Sequence, residues 1–135
     1  MTSNPANLSR ADRLAQAQAA ILELAGDYKS QLQTDVAALK EIWSQTDKNA
    51  PSSDQVGEIF SIAHNLKGQA GSFGYGLVTA IAASLCEMTR DNPDCTNCGQ
   101  ALDKHVRILD QVVTKDIKGD GGEAGAKIVA LLKTL

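Results

Sequence analysis

The residue types best suited to chemistry fall in one short stretch, Ile62-Ala63-His64-Asn65-Leu66-Lys67-Gly68-Gln69-Ala70-Gly71-Ser72-Phe73-Gly74. On a helix turning about 100° per residue, the apolar residues Val56, Ile59, Phe60, Ala63, Leu66, Ala70 and Phe73 share one face. His64 lies beside that face, toward solvent. Its neighbours one and two turns away are Gly57, Ser61, Gly68 and Gly71, all small. A glycine inside a helix costs roughly 1 kcal/mol relative to alanine, so three of them around one histidine call for a reason. Steric access supplies it: helical side chains tilt toward the N-terminus, and a larger residue at Gly68 would lean over the imidazole. Lys67, one turn from His64, places a cation where it can support a phosphoryl group. Histidine is a competent nucleophile that can carry a covalent intermediate. Phosphoryl transfer also needs in-line geometry and a metal ion to neutralise charge. No paired acid or phosphate-cradling loop accompanies His64 in sequence, so a partner must bring those parts. Ser61, Asn65, Gly71, Ser72 and Tyr75 are the residues expected to border the contact with it.

Other candidates are weaker. His105 has Ala101, Leu102, Ile108 and Leu109 as helical neighbours and no cleared face, the pattern of a core-edge histidine. Cys95-Thr96-Asn97-Cys98 is a lone Cys-x-x-Cys. Cys86 and His105 would complete a zinc set only if the turn folded back; a reversible disulfide at the turn is the other alternative, and free thiols are the default for a cytosolic chain. The Gly119 to Gly125 cluster lacks a preceding strand and the full dinucleotide pattern, and reads as a linker. Asp116, Asp120 and Glu123 do not match a calcium loop.

The elements that must hold His64 read as helices throughout. Ser9 with Asp12 is a helix-start pattern, followed by Leu14, Ala17, Ile21 and Leu24 at helical spacing. Gly26-Asp27 interrupts this stripe, and Tyr28, Leu32, Val36, Leu39 and Trp43 resume it. This reads as two helices or one kinked helix, ending near Lys48-Asn49; a straight rod over both would reach about 58 Å, so a break at Gly26 is the expectation. Pro51-Ser52-Ser53-Asp54-Gln55 opens the next helix, with Ser52 and Gln55 as a capping box. Gly74-Tyr75-Gly76 ends it. Leu77, Ile81, Leu85 and Met88 form a further segment that stops before Asp91-Asn92-Pro93. Thr96 or Asn97 is placed to cap the segment carrying Leu102, Val106, Leu109 and Val113. Ala124, Ile128, Leu131 and Leu135 mark a short last helix. The expected fold is all-α: an antiparallel up-and-down four-helix bundle over about residues 27–115, within a single domain 9–135. An extra N-terminal helix and the short C-terminal helix cover it, after a flexible arm of residues 1–8.

Composition narrows the function further. The chain has 135 residues, 43% of them apolar, enough for one core. Thirteen Lys and Arg against sixteen Asp and Glu give a net charge of −3, which argues against nucleic acid as a partner. No apolar run approaches the roughly 18 to 20 residues of a membrane span, and no signal peptide opens the chain. A cytoplasmic protein acting as a single copy is expected.

His64-x-x-Lys67-Gly68, with Leu66 and Gly74, resembles the signature of histidine-containing phosphotransfer (HPt) domains, H-x-L-K-G-x-x-x-x-x-G. Ala70-Gly71-Ser72-Phe73-Gly74-Tyr75 is also similar to the phosphotransfer domain of chemotaxis histidine kinases. The motif likeness spans about residues 60–76, and the helical layout extends it over 27–115. The resemblance implies a stand-alone member with His64 as phospho-acceptor, Lys67 as supporting cation and Gly68 as access residue. It implies exchange with the aspartates of receiver domains, in response regulators and hybrid histidine kinases of a bacterial two-component phosphorelay. The chain itself would bind no cofactor, the receiver supplying Mg²⁺, and would be a phosphoryl carrier, not an enzyme. Some members hold the histidine through a carboxylate or amide of the next helix; Glu87 and Gln69 fall on no motif position, so that role is not carried over. The rival reading is a helical adaptor that binds a receiver or kinase without transfer.

Overall fold

A computed structural model describes residues 9–95 and 97–135; the expected arm of residues 1–8 and the candidate cap Thr96 lie outside the described residues. Ser9 opens the first helix, α1 (Arg10–Ser44), its Oγ accepting from the Asp12 amide at 3.1 Å. The break expected at Gly26 does not occur: α1 runs on through Gly26-Asp27 as one helix of 35 residues. A single interior glycine costs roughly 1 kcal/mol, while stopping would require a second, unfavourable helix nucleus. The Ala, Leu, Gln and Lys around it are good helix formers.

Within α1 the chain divides into two compact units, one ending at Gln31 and the other spanning Leu32–Leu135. In the first, the stripe of Leu14, Ala17, Ile21 and Leu24 is exposed, and so is Leu22.

The second unit holds the remaining helices: α2 (Ser53–Ala70), a 3-10 turn (Gly71–Phe73), α3 (Gly76–Asp91), α4 (Gly99–Thr114) and α5 (Gly122–Leu132). The described residues contain no strand. Leu32, Val36, Leu39 and Trp43 of α1 are buried, as are Val56, Ile59, Ala63 and Leu66 of α2. Leu77, Val78, Ile81 and Leu85 of α3 and Leu102, Val106 and Leu109 of α4 complete the core. α2 packs on α3, and α3 also packs on α4 and α5. Trp43 Nε1 donates to Asp103 Oδ1 at 2.8 Å, and Lys48 and Arg107 pair with the same carboxylate at 3.2 and 2.8 Å. The start of α4 comes so close to the loop after α1 that a Cβ on Gly99 would run into the Lys48 carbonyl.

The capping box of α2 forms as expected, with Gln55 N donating to Ser52 Oγ and Ser52 N to Gln55 Oε1. α3 ends at Asp91, ahead of Pro93. The start of α4 differs from expectation: Cys98 occupies the cap without a side-chain bond, and Asn97 precedes it at φ 64°. Cys95 and Cys98 are joined as a disulfide and Cys86 is a buried free thiol, so the default of free thiols holds for Cys86 alone. In α5 the buried positions are Gly125 and Leu132, while Leu131 and Leu135 are exposed, one step off the stripe read from spacing. Among the described residues no helix is long and apolar enough to cross a membrane.

Candidate functional site

Five buried side chains, Val56, Ile59, Ala63, Leu66 and Ala70, fix the rotation of α2 against the core. That rotation leaves His64 exposed, one position past Ala63, and turns Asn65, Lys67 and Gly68 outward with it. The imidazole makes no hydrogen bond among the described residues; its one ring contact is a stack on Phe60, a turn earlier, with centroids 5.8 Å apart and planes 17° from parallel. Neither Glu87 nor Gln69 holds it.

The small residues around the ring divide into two kinds. A Cβ on Gly57 or Gly68 would meet nothing within 4 Å, so internal packing does not demand glycine at either position. A Cβ on Gly71 would sit 3.2 Å from Thr79 Oγ1, so that glycine lets the end of α2 approach α3. Ser61 is exposed but its hydroxyl is turned back, donating to the Gly57 carbonyl at 3.1 Å. Ser72 is exposed.

Lys67 is exposed and forms no ion pair among the described residues. Its charge reaches α3: burial pushes the Cys86 thiol up, and the Lys67 and Arg90 cations offset part of that rise. A cation one turn from an exposed imidazole, with no carboxylate among the described residues paired to it, can attend a phosphoryl group on that ring.

Tyr75 is the exception among the expected contact residues. It is 2% exposed, its hydroxyl donates to Asp116 Oδ1 at 2.8 Å, and the Lys118 ammonium lies 5.9 Å from its ring centroid. A side chain enclosed in this way cannot border a partner; it anchors the turn after α2. The same turn is held by backbone bonds from Gly119 N to the Gly74 carbonyl and from Leu77 N to the Gly119 carbonyl. The Gly119 segment, expected to be a linker, is therefore a brace on the end of the helix that bears His64. Gly74 itself takes φ 86°, the left-handed conformation glycine adopts without strain.

Phe60 is a site residue that motif spacing did not single out. Half-buried, it stacks on His64 and also lines an open apolar depression of about 250 Å³ with Ser53, Val56, Gly57, Thr89, Arg90 and Pro93. The available signal was an aromatic four residues before the histidine, a spacing that places the two on one helical face. Phe73, expected in the core stripe, is exposed.

The other residues weighed in the sequence have their own partners. His105 is 1% exposed and both ring nitrogens are engaged, Nδ1 with the Ala101 carbonyl at 2.6 Å and Nε2 with Ser84 Oγ at 2.8 Å. With Cys95 and Cys98 bonded to each other, the zinc set has no free thiolate pair, and no cluster of three metal-ligating side chains forms among the described residues.

Comparison with known proteins places the Hpt domain family over residues 11–114, most of the chain and all of α2, α3 and α4. No curated protein and no solved structure matches the chain significantly. An exposed histidine on α2, its neighbouring lysine and the family match over residues 11–114 agree: the chain belongs to the Hpt domain family, whose members act in phosphotransfer in two-component signalling.

Proposed function

We propose that this chain relays a phosphoryl group through His64, between receiver-domain aspartates or from a histidine kinase to a response regulator. The observation that carries the reading is the unencumbered imidazole: exposed, without a hydrogen bond among the described residues, stacked on Phe60, with open space above Gly57 and Gly68. A ring nitrogen attacks the phosphorus of an aspartyl phosphate. The N–P bond forms as the P–O bond to the aspartate breaks, and the electron pair leaves on the carboxylate. Lys67 supports the charge of the phosphoryl group on the ring. Gly68 keeps the approach clear, and Ser61, Asn65, Gly71 and Ser72 border the contact. The receiver supplies Mg²⁺ and the aspartate, so this chain acts as a carrier. The depression beside Phe60 adds an apolar landing for the receiver next to the reacting atom. The scaffold that presents the site is the four-helix up-and-down bundle of α2, α3, α4 and the Leu32–Ser44 part of α1.

The test mixes the protein with a phosphorylated receiver and Mg²⁺. Acid-labile, base-stable phosphate appears on the wild type and is absent from His64→Gln. Persistent labelling of the folded variant overturns the assignment, and tight binding of the receiver with no label on the wild type establishes the adaptor reading instead.

A further inference from the structure

The N-terminal part of α1 bears an apolar seam that nothing among the described residues of its own unit covers. Leu14 is 59% exposed, Ile21 65% and Leu24 59%, with Ala17 exposed between them. Leu14 and Ile21 are seven residues apart, as are Ala17 and Leu24, with alternating steps of three and four. That is the a and d spacing of a coiled coil. In this frame Arg13 and Asp27 both occupy g positions beside the seam, and Gly26 and Leu22 fall outside it. Neither Arg13 nor Asp27 forms an ion pair within the chain among the described residues.

We infer that this seam pairs two copies of the chain as an antiparallel homodimer. Antiparallel pairing sets each a residue against a d residue: Leu14 meets Leu24 of the second copy, and Ala17 meets its Ile21. The large residues then stack together and the small one faces the branched one, filling each layer. The same register brings g against g, so Arg13 faces Asp27 of the second copy and Asp27 faces its Arg13. Hydrophobic layers and both charge pairs close in one arrangement. A parallel dimer in the same frame sets g against e, which puts Arg13 beside Gln18 and Asp27 beside Leu32, with no charge paired. Charge complementarity thus selects both the occupant, a second copy, and its direction. Two heptads are short, so the association is weak and dissociates on dilution. It supersedes the single-copy expectation and is independent of the relay chemistry at His64.

Sedimentation velocity on the full chain under reducing conditions, from low micromolar toward millimolar concentration, reads the equilibrium. The wild type shifts from monomer to dimer as concentration rises, and Ile21→Glu stays monomeric with unchanged helical circular dichroism. Arg13→Glu alone and Asp27→Arg alone each place like charges opposite one another twice and weaken association about tenfold. An equimolar mixture of these two variants restores dimer formation, because each copy then complements the other. A wild type that remains monomeric throughout overturns the proposal. So does a dimer indifferent to the charge changes, or a mixture no stronger than its components.

Discussion

Gly57 and Gly68 sit on the outside of α2 over empty space, where the helix would be better served by alanine. Neither fits against anything internal, and each leaves the helix roughly 1 kcal/mol less stable than alanine would. Gly68→Ala is therefore expected to raise stability by about 1 kcal/mol, or about 3–5 °C in Tm for a chain of this size. If the glycine is there to admit a partner, the same change slows phosphoryl transfer to His64. Thermal unfolding followed by circular dichroism and a transfer time course read the two effects separately, and a stabilised variant with unimpaired transfer removes the access role. Gly71 serves as the contrast: with Thr79 Oγ1 at 3.2 Å from the added carbon, alanine there brings no comparable gain. Lys67→Ala tests the other half of the site. Lys67 is exposed and forms no ion pair among the described residues, so its loss leaves stability within about 0.5 kcal/mol. Transfer falls roughly tenfold, which corresponds to about 1.4 kcal/mol of lost charge stabilisation; unchanged transfer dismisses its charge-supporting role.

The brace on the end of α2 is the element through which the remainder of the second unit acts on the site. Tyr75 is locked by its bond to Asp116, and Gly119 exchanges backbone bonds with Gly74 and Leu77. Gly125 is needed close by, because a Cβ there would collide with the Asp120 carbonyl. Tyr75→Phe removes one hydrogen bond from an enclosed side chain and should cost about 1 kcal/mol in urea unfolding. Transfer to His64 should stay at the wild-type rate, since Tyr75 has no surface to offer a receiver. A variant of normal stability with impaired transfer would return Tyr75 to the contact surface. This brace shows which parts of the structure were readable in advance. The α2 capping box, the stop before Pro93 and the stripe from Val56 to Ala70 depend on residues three or four apart, so their sequence carries them. The brace joins residues more than forty positions apart through main-chain groups, which no side-chain pattern encodes. The continuity of α1 at Gly26 is hidden for the opposite reason: the local cost of a glycine is visible in the sequence, while the larger cost of nucleating a second helix is not.

Across the whole molecule, periodicity identifies an apolar face without identifying what lies against it. The Leu14 to Leu24 stripe and the Leu32 to Trp43 stripe look alike in sequence, yet the first is exposed and the second buried. His64 and His105 present the same ambiguity in polar form: one imidazole stands in solvent, and the other is enclosed. Burial holds His105 below its ordinary pKa of 6.5, with the bond to the Ala101 carbonyl only partly opposing it. Because that carbonyl can only accept, Nδ1 carries the proton and Nε2 accepts from Ser84, a fully bonded neutral ring. The unfolded chain therefore takes up a proton near pH 6.5 that the folded chain refuses. Above that pH both states are neutral and His105 adds no pH dependence. As the pH falls below 6.5, the unfolded state binds the extra proton and stability declines, with a limiting slope of about 1.4 kcal/mol per pH unit for one proton. Asp103 acts lower on the scale. Burial raises its pKa, but the Trp43 hydrogen bond, Lys48 and Arg107 outweigh burial and hold it below 3.8. Its stabilisation is thus present above pH 3.8 and lost as the pH drops through the folded value. Urea unfolding of the wild type between pH 8 and pH 5, conditions chosen to bracket the ordinary histidine value of about 6.5, should show stability flat at the upper end and declining at the lower. His105→Gln should lower stability throughout and reduce that decline, because no group at this position then protonates on unfolding. A slope that persists unchanged in the variant would assign the acid sensitivity elsewhere in the chain.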